Sequence, residues 1–159
     1  MRGNSLARYL PRYEEMKLLK PKDSAYIASF RVGRLATINE NSSAHIVPIV
    51  FANDQSNLYF AIDSKKKKTT NLKRIMNIKR TGRATLLFDS YRENWKNLSY
   101  LLIYCKASIV EGQEKQRAIL MLKQKYKQYS RGKYLRGDAI IVKLAPSKIR
   151  RWHADSAQS

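Results

Sequence analysis

The sequence predicts a mainly β fold with peripheral helices: a small barrel of about six mostly antiparallel strands. Three observations carry this. Short runs of β-branched and aromatic residues alternate with clusters of Asn, Asp, Ser and Gly, the pattern of strands joined by tight turns. Helical periodicity is confined to a few stretches, of which one is long. The chain has 159 residues, enough to bury one core, and closing a sheet of short strands hides its edges.

Residues 1–20 read as a basic lead-in with short helical pieces around Pro11, residues 21–152 as the barrel domain, and 153–159 as a tail. Pro21-Lys22-Asp23-Ser24 has the composition of a helix start, giving a helix over about 22–31 that Gly33 ends. Strands follow at 34–38, 44–52 and 57–62. The turn formers of 39–43 and 53–57 between them predict a three-stranded meander. Leu72, Ile75, Met76 and Ile78 then recur at helical spacing, and Thr81-Gly82 supplies the stop. Strand patterns resume at 83–90 and 98–110, and residues 113–130 form the longest helix, with Ala118, Ile119, Leu122, Tyr126 and Tyr129 on its apolar face. A last strand covers 139–144, and a basic tail runs on through Lys148-Ile149-Arg150-Arg151-Trp152.

Thirty-two Lys and Arg against 12 Asp and Glu give a formal charge of +20, so the surface attracts polyanions of every kind. A hydrophobic content of 43% with ten Tyr excludes a disordered basic arm. One cysteine excludes an internal disulfide framework, and two histidines without paired cysteines exclude the usual zinc clusters, so no metal is implied. Cys105 lies in an apolar run without a basic neighbour in sequence and reads as an inert core thiol. The chain has no apolar segment of signal or membrane length, which places it in the cytoplasm without a membrane partner.

The segment with most chemistry is Ala61-Ile62-Asp63-Ser64-Lys65-Lys66-Lys67-Lys68-Thr69-Thr70-Asn71-Leu72-Lys73-Arg74, which ends an apolar strand pattern and starts a helix. At such a junction ammonium groups, hydroxyls and free backbone N–H groups can converge on a phosphate; the bland alternative is a solvated charged turn. Asp63 reads as a helix cap or a lysine-orienting carboxylate. No Ser-His-Asp set, paired carboxylates or Gly-rich phosphate loop is evident, so no catalytic residue is assigned.

Arg31-Val32-Gly33-Arg34-Leu35-Ala36-Thr37, His45-Ile46-Val47-Pro48-Ile49-Val50-Phe51 and Leu58-Tyr59-Phe60-Ala61-Ile62-Asp63 with its lysines resemble the pyridoxamine 5'-phosphate oxidase-like, FMN-binding split-barrel family. Lys65, Lys67, Thr69, Thr70, Leu72 and the Tyr91 to Trp95 stretch are most similar to its F420-dependent enzyme group. The resemblance runs from about Pro21 to Trp152. It implies a split β-barrel homodimer with cofactor sites at the subunit interface. It also implies cofactor contacts at His45, Ile46, Val47 and Pro48, at Ala61, Ile62 and Asp63, and at the phosphate ligands Lys65, Lys67, Lys68, Thr69 and Thr70. Trp152 is added as a terminal aromatic able to cover a ring. Two departures stand out. Lys66 replaces a proline between the lysines, and Lys143-Leu144-Ala145-Pro146 replaces an Arg-Leu-x-Pro stretch, which argues against pyridoxamine phosphate oxidation itself.

The function that follows is a flavin (FMN) or deazaflavin (F420)-dependent oxidoreductase passing hydride between its cofactor and a small unsaturated substrate. The absence of an acid-base set is compatible with chemistry that the cofactor carries. The alternatives are a basic nucleic-acid-binding protein, permitted but not favoured by the charge, and a haem-binding split barrel whose ligand would be His45 or His153. Trp95 reads as a core or interface aromatic, and His153 as inert.

Overall fold

A computed structural model describes residues 18–63, 72–132 and 134–154; the lead-in before Leu18, the lysine run and the last five residues lie outside it. The chain order is α1 (Pro21–Ala28), β1 (Gly33–Ile38), β2 (Ala44–Ile49), β3 (Ala52–Asn53), β4 (Leu58–Ile62), α2 (Lys73–Thr81), β5 (Arg83–Ser90) and a 3-10 turn (Trp95–Asn97). It continues with β6 (Ser99–Val110), α3 (Gly112–Lys125), α4 (Lys127–Ser130) and β7 (Ile140–His153). The seven strands form one antiparallel sheet in the order β2-β1-β5-β6-β7-β4-β3. Its edge strands β2 and β3 are separated by only Val50 and Phe51, so the sheet must curl until its edges meet.

That crossover corrects the predicted meander. The turns at 39–43 and 53–57 are present, but the middle strand divides at Val50-Phe51, and β4 pairs with β7 instead of β2. The last strand is also longer than predicted: the basic segment through Trp152 is strand, not tail. Its first half pairs with β4 and its whole length with β6. Pro146 is accommodated because the register slips between Tyr104 and Cys105, leaving Ser147 as the extra residue, its hydroxyl donating to the Tyr104 carbonyl at 3.0 Å.

Two apolar clusters fix the curl. Leu35, Phe51, Leu58, Phe60, Leu86, Phe88, Ile103 and Leu144 fill the barrel interior. Tyr59, Ala118, Ile119, Leu122, Tyr126, Tyr129 and Ile141 form a second layer where α3 and α4 cover β4 and β7. β4 is thus buried on both faces, which explains its unbroken apolar sequence. The interior is close-packed at Gly33, where an added Cβ would stand 2.8 Å from the Phe88 ring. Helix α2 ends as predicted, with Gly82 at φ +62° donating to the Ile78 carbonyl at 2.8 Å. Its buried Asn77 donates to the Thr37 hydroxyl at 3.0 Å and pins it to β1.

The predicted helix 113–130 breaks at Tyr126, whose backbone is extended (φ −124°, ψ 109°). Tertiary bonds hold it there. The Tyr126 hydroxyl lies 2.7 Å from the Arg31 carbonyl and 2.9 Å from the Phe51 carbonyl, and accepts from the Phe51 N–H at 3.1 Å. One side chain therefore fastens the crossover to the loop after α1. Beside it the Lys125 ammonium sits 3.7 Å from the Phe51 ring centroid, and desolvation pulls it down to about 8.

Asp23 ties α1 to the far end of β7. It accepts from Arg151 Nε at 2.7 Å and from the Lys20 N–H at 2.9 Å, and its carboxyl is held below the usual range chiefly by Arg151. Glu114 is lowered in the same way, chiefly by Lys143 at 2.8 Å. The depressed native values mean that the unfolded chain binds these protons first. Stability from both is complete above the ordinary carboxylate range and drains away as pH falls through the lower native values, below about 4. We therefore expect the chemical-denaturation midpoint to fall between pH 5 and pH 3 in wild type. Asp23→Asn should destabilise by about 1–3 kcal/mol at pH 7 and flatten that acid limb; an unchanged limb would remove Asp23 from the account.

Candidate functional site

Where β2 leaves one edge of the sheet and the end of β4 lies opposite, the surface opens into a cleft of about 360 Å³. Pro48, Ile49 and Val50 line one side, Ala61, Ile62 and Asp63 the other, and Leu72, Arg74 and Tyr129 complete it. The fold thus unites four of the predicted residues, Pro48, Ala61, Ile62 and Asp63, from strands that are not hydrogen-bonded neighbours. Ile46 and Val47 precede Pro48 on β2, an edge strand that leaves a row of backbone groups uncommitted to β1. His45 is half-buried on the same strand, opposite buried Thr37. Lys65, Lys67, Lys68, Thr69 and Thr70 lie outside the described residues, in the segment that leaves the cleft at Asp63.

Two cleft residues have no role of their own in the sequence reading. Arg74, the last residue of the cationic run, has its Nε buried without a hydrogen-bond partner among the described residues. Desolvation lowers its guanidinium from the usual value while Asp63 opposes the shift. Tyr129, expected on a core face, is indeed 6% exposed, yet its hydroxyl donates to Asp63 Oδ1 at 3.1 Å. Burial, reinforced by Asp63, raises this phenol, so it stays protonated and acts as a donor. Helix α2 begins beside them at Leu72, with no side-chain cap among the described residues, so its positive end faces the cleft. The cleft therefore offers an apolar slot, a carboxylate, and a half-buried cation whose Nε has no acceptor among the described residues.

Trp152 is elsewhere. Ile140 of β7 pairs with Ile62, whereas Trp152 pairs with Tyr100, twelve residues further along the strand or about 40 Å if fully extended. It stacks on Tyr100 with centroids 5.5 Å apart and lines a separate groove of about 630 Å³ with Lys22, Tyr26, Ser99 and Arg151. A single chain does not bring it to the cleft. Cys105 is buried, and desolvation pushes its thiol up to about 12, consistent with an inert core residue. Among the described residues no cluster of His, Cys, Asp and Glu is placed to hold a metal ion, and no helix is long and apolar enough to cross a membrane.

Solved structures share this fold. A conserved hypothetical protein of Mycobacterium tuberculosis superposes with a TM-score of 0.69 at 16% identity over 91% of both chains. The haem storage protein HutZ of Vibrio cholerae gives 0.63 at 14% identity, covering 85% of this chain and 94% of its own. An FAD-binding protein of Mycobacterium smegmatis gives 0.57 at 16%, covering 85% and 98%. No curated protein sequence matches the chain. The family model described as pyridoxamine 5'-phosphate oxidase matches residues 19–153, from the start of α1 to the end of β7, and the chain accordingly belongs to the pyridoxamine 5'-phosphate oxidase family.

Proposed function

We propose that the protein is a flavin- or deazaflavin-dependent oxidoreductase whose cofactor, FMN or F420, occupies the cleft between Pro48 and Asp63. The observation that carries this is Arg74: a buried guanidinium nitrogen with no acceptor among the described residues, lining an apolar slot beside a helix start that no described side chain caps, fits a bound anionic group. Arg74 would hold the phosphate together with Lys65, Lys67, Lys68, Thr69 and Thr70. Asp63, fixed by Tyr129, would accept hydrogen bonds from a polyol chain, and the free backbone edge at Ile46 to Pro48 would meet the ring. When bound, the cofactor supplies the hydride chemistry, and the chain's own residues bind it, orient it and exclude water. Activity toward a small unsaturated acceptor is the enzyme reading.

The cleft is at the small end of the range for ligand sites, so a second surface has to cover a ring held there. The outer sheet face supplies a candidate. Along the register, Ile46, Ile38, Tyr104, Tyr100 and Trp152 are 64%, 46%, 41%, 38% and 39% exposed on β1, β2, β6 and β7, and among the described residues no helix covers them. A twofold contact through this face makes a homodimer and gives Trp152 its route to a cleft, that of the other copy. Sedimentation at micromolar concentration should show a dimer, and Ile46→Asp should convert it to monomer; a wild-type monomer that still binds cofactor would sink this part of the reading.

The deciding experiment is the absorbance spectrum of the purified protein before and after addition of FMN, F420 and haemin. A saturable flavin or deazaflavin band supports the proposal. A Soret band alone would replace it with haem binding, with His45 or His153 to be tested as ligand.

A further inference from the structure

A groove of about 670 Å³ runs between α1 and the turn that joins β3 to β4. Pro21, Ala25 and Ala28 give it an apolar wall along the helix, and Asn53 to Gln55 form the other side. The two walls are fastened to each other. The Ser24 hydroxyl accepts from Asn53 Nδ2 at 3.0 Å and lies 3.4 Å from the Asp54 carbonyl, to which it donates.

The described chain begins beside this groove. Leu19 and Lys20 belong to its lining, whereas the groove on the other flank of α1, beneath Trp152, is lined by no residue before Lys22. Residues 1–17 are therefore tethered at its mouth, and their extended reach of about 55–60 Å far exceeds the roughly 12 Å length of α1. They also carry what an apolar groove takes. Leu6, Tyr9, Leu10, Tyr13 and Met16 each have another of the set three or four positions away, the spacing of a single apolar stripe. A short tether makes docking intramolecular, at an effective concentration of about millimolar, so a few apolar contacts suffice where a free peptide or a second copy would need many. We infer that the lead-in docks along this groove as a strap, with Leu10 and Tyr13 against α1 and the β3–β4 turn. The strap clamps the helix whose Asp23 holds Arg151 of β7, and it stands independently of the cofactor reading.

The test is paramagnetic NMR on the full chain with a nitroxide attached at Arg12→Cys. Wild type treated alike is the control for Cys105, which is 3% exposed. Amide signals of Ser24 to Ala28 and of Asn53 to Gln55 should broaden, and reducing the nitroxide should restore them. Adding Leu10→Asp/Tyr13→Asp should abolish the broadening and speed amide exchange in α1 about tenfold, while Leu10→Met/Tyr13→Phe should leave both as they were. Absence of broadening overturns the strap, and so does broadening confined to Tyr100, Leu101 and His153 at the groove beneath Trp152. Broadening that survives the Asp pair shows that the apolar residues do not hold the segment, and an α1 exchange rate unmoved by that pair removes the clamp. A mixture of isotope-labelled chain lacking the nitroxide with unlabelled chain carrying it should show no broadening; broadening there gives the segment to a second copy and overturns the inference as well.

Discussion

Arg74→Gln is expected to weaken FMN binding about 10- to 100-fold and riboflavin binding less than twofold. The guanidinium has a buried nitrogen that no described residue satisfies, and on the proposed reading the phosphate gains a charge-assisted bond of about 1.5–3 kcal/mol there. Removing that bond costs the stated factor. Riboflavin has no phosphate and should not notice. A triple change of Lys65, Lys67 and Lys68 to Ala should show the same contrast. Equal weakening of FMN and riboflavin by either variant would show that the group held there is not the phosphate.

The second large effect concerns the fold. Tyr126→Phe keeps the ring in its cluster but deletes the hydroxyl that joins Arg31 to Phe51. The Phe51 N–H, in a residue 0% exposed, then loses its acceptor. A buried donor left unpaired, with the lost bonds to two carbonyls, costs about 2–3 kcal/mol, on the order of 5–10 °C in Tm for a chain of this size. A melting temperature within a degree of wild type would show that the crossover is held by packing alone.

Much of the fold was legible because local and tertiary preferences agree. The alternation in Arg83–Ser90 and Ser99–Val110 matches their pairing, and Gly82 takes the left-handed turn that its place after Thr81 predicts. The failures lie where a partner far along the chain decides. Lys148 to Trp152 is too charged to read as strand by itself and is strand because β6 pairs with it throughout. Tyr126 suits a helix and leaves it to reach Phe51. In the site, Ala61 to Asp63 read as a strand end before the lysine run, whereas Pro48 entered only through the family resemblance; the fold lines one cleft with all four, and cofactor contact at them is a proposal. Arg74 was legible only as the end of the cationic run, and the Tyr129 hydroxyl was not legible, since a helix pattern shows which face is apolar but not which polar tip reaches a neighbouring carboxylate. The distance of Trp152 from the cleft depends on the β6–β7 register, which no local pattern encodes.

The Val50-Phe51 crossover also bears on how a ligand and folding are linked. The two walls of the cleft belong to opposite ends of a single sheet, and they face each other only once the strands between them have paired in order. Those pairings join residues far apart in sequence, such as Leu35 with Leu86 and Ile62 with Ile140, so the ring closes late and slowly. On the proposed reading, a cofactor in the cleft would bridge the closing seam and bind only the closed state. Its free energy would then add in full to that of folding, growing by about 1.4 kcal/mol for each tenfold rise in ligand above its Kd. Hydrogen exchange should register this first on β2, an edge strand that lines the cleft and is held to the sheet along one side.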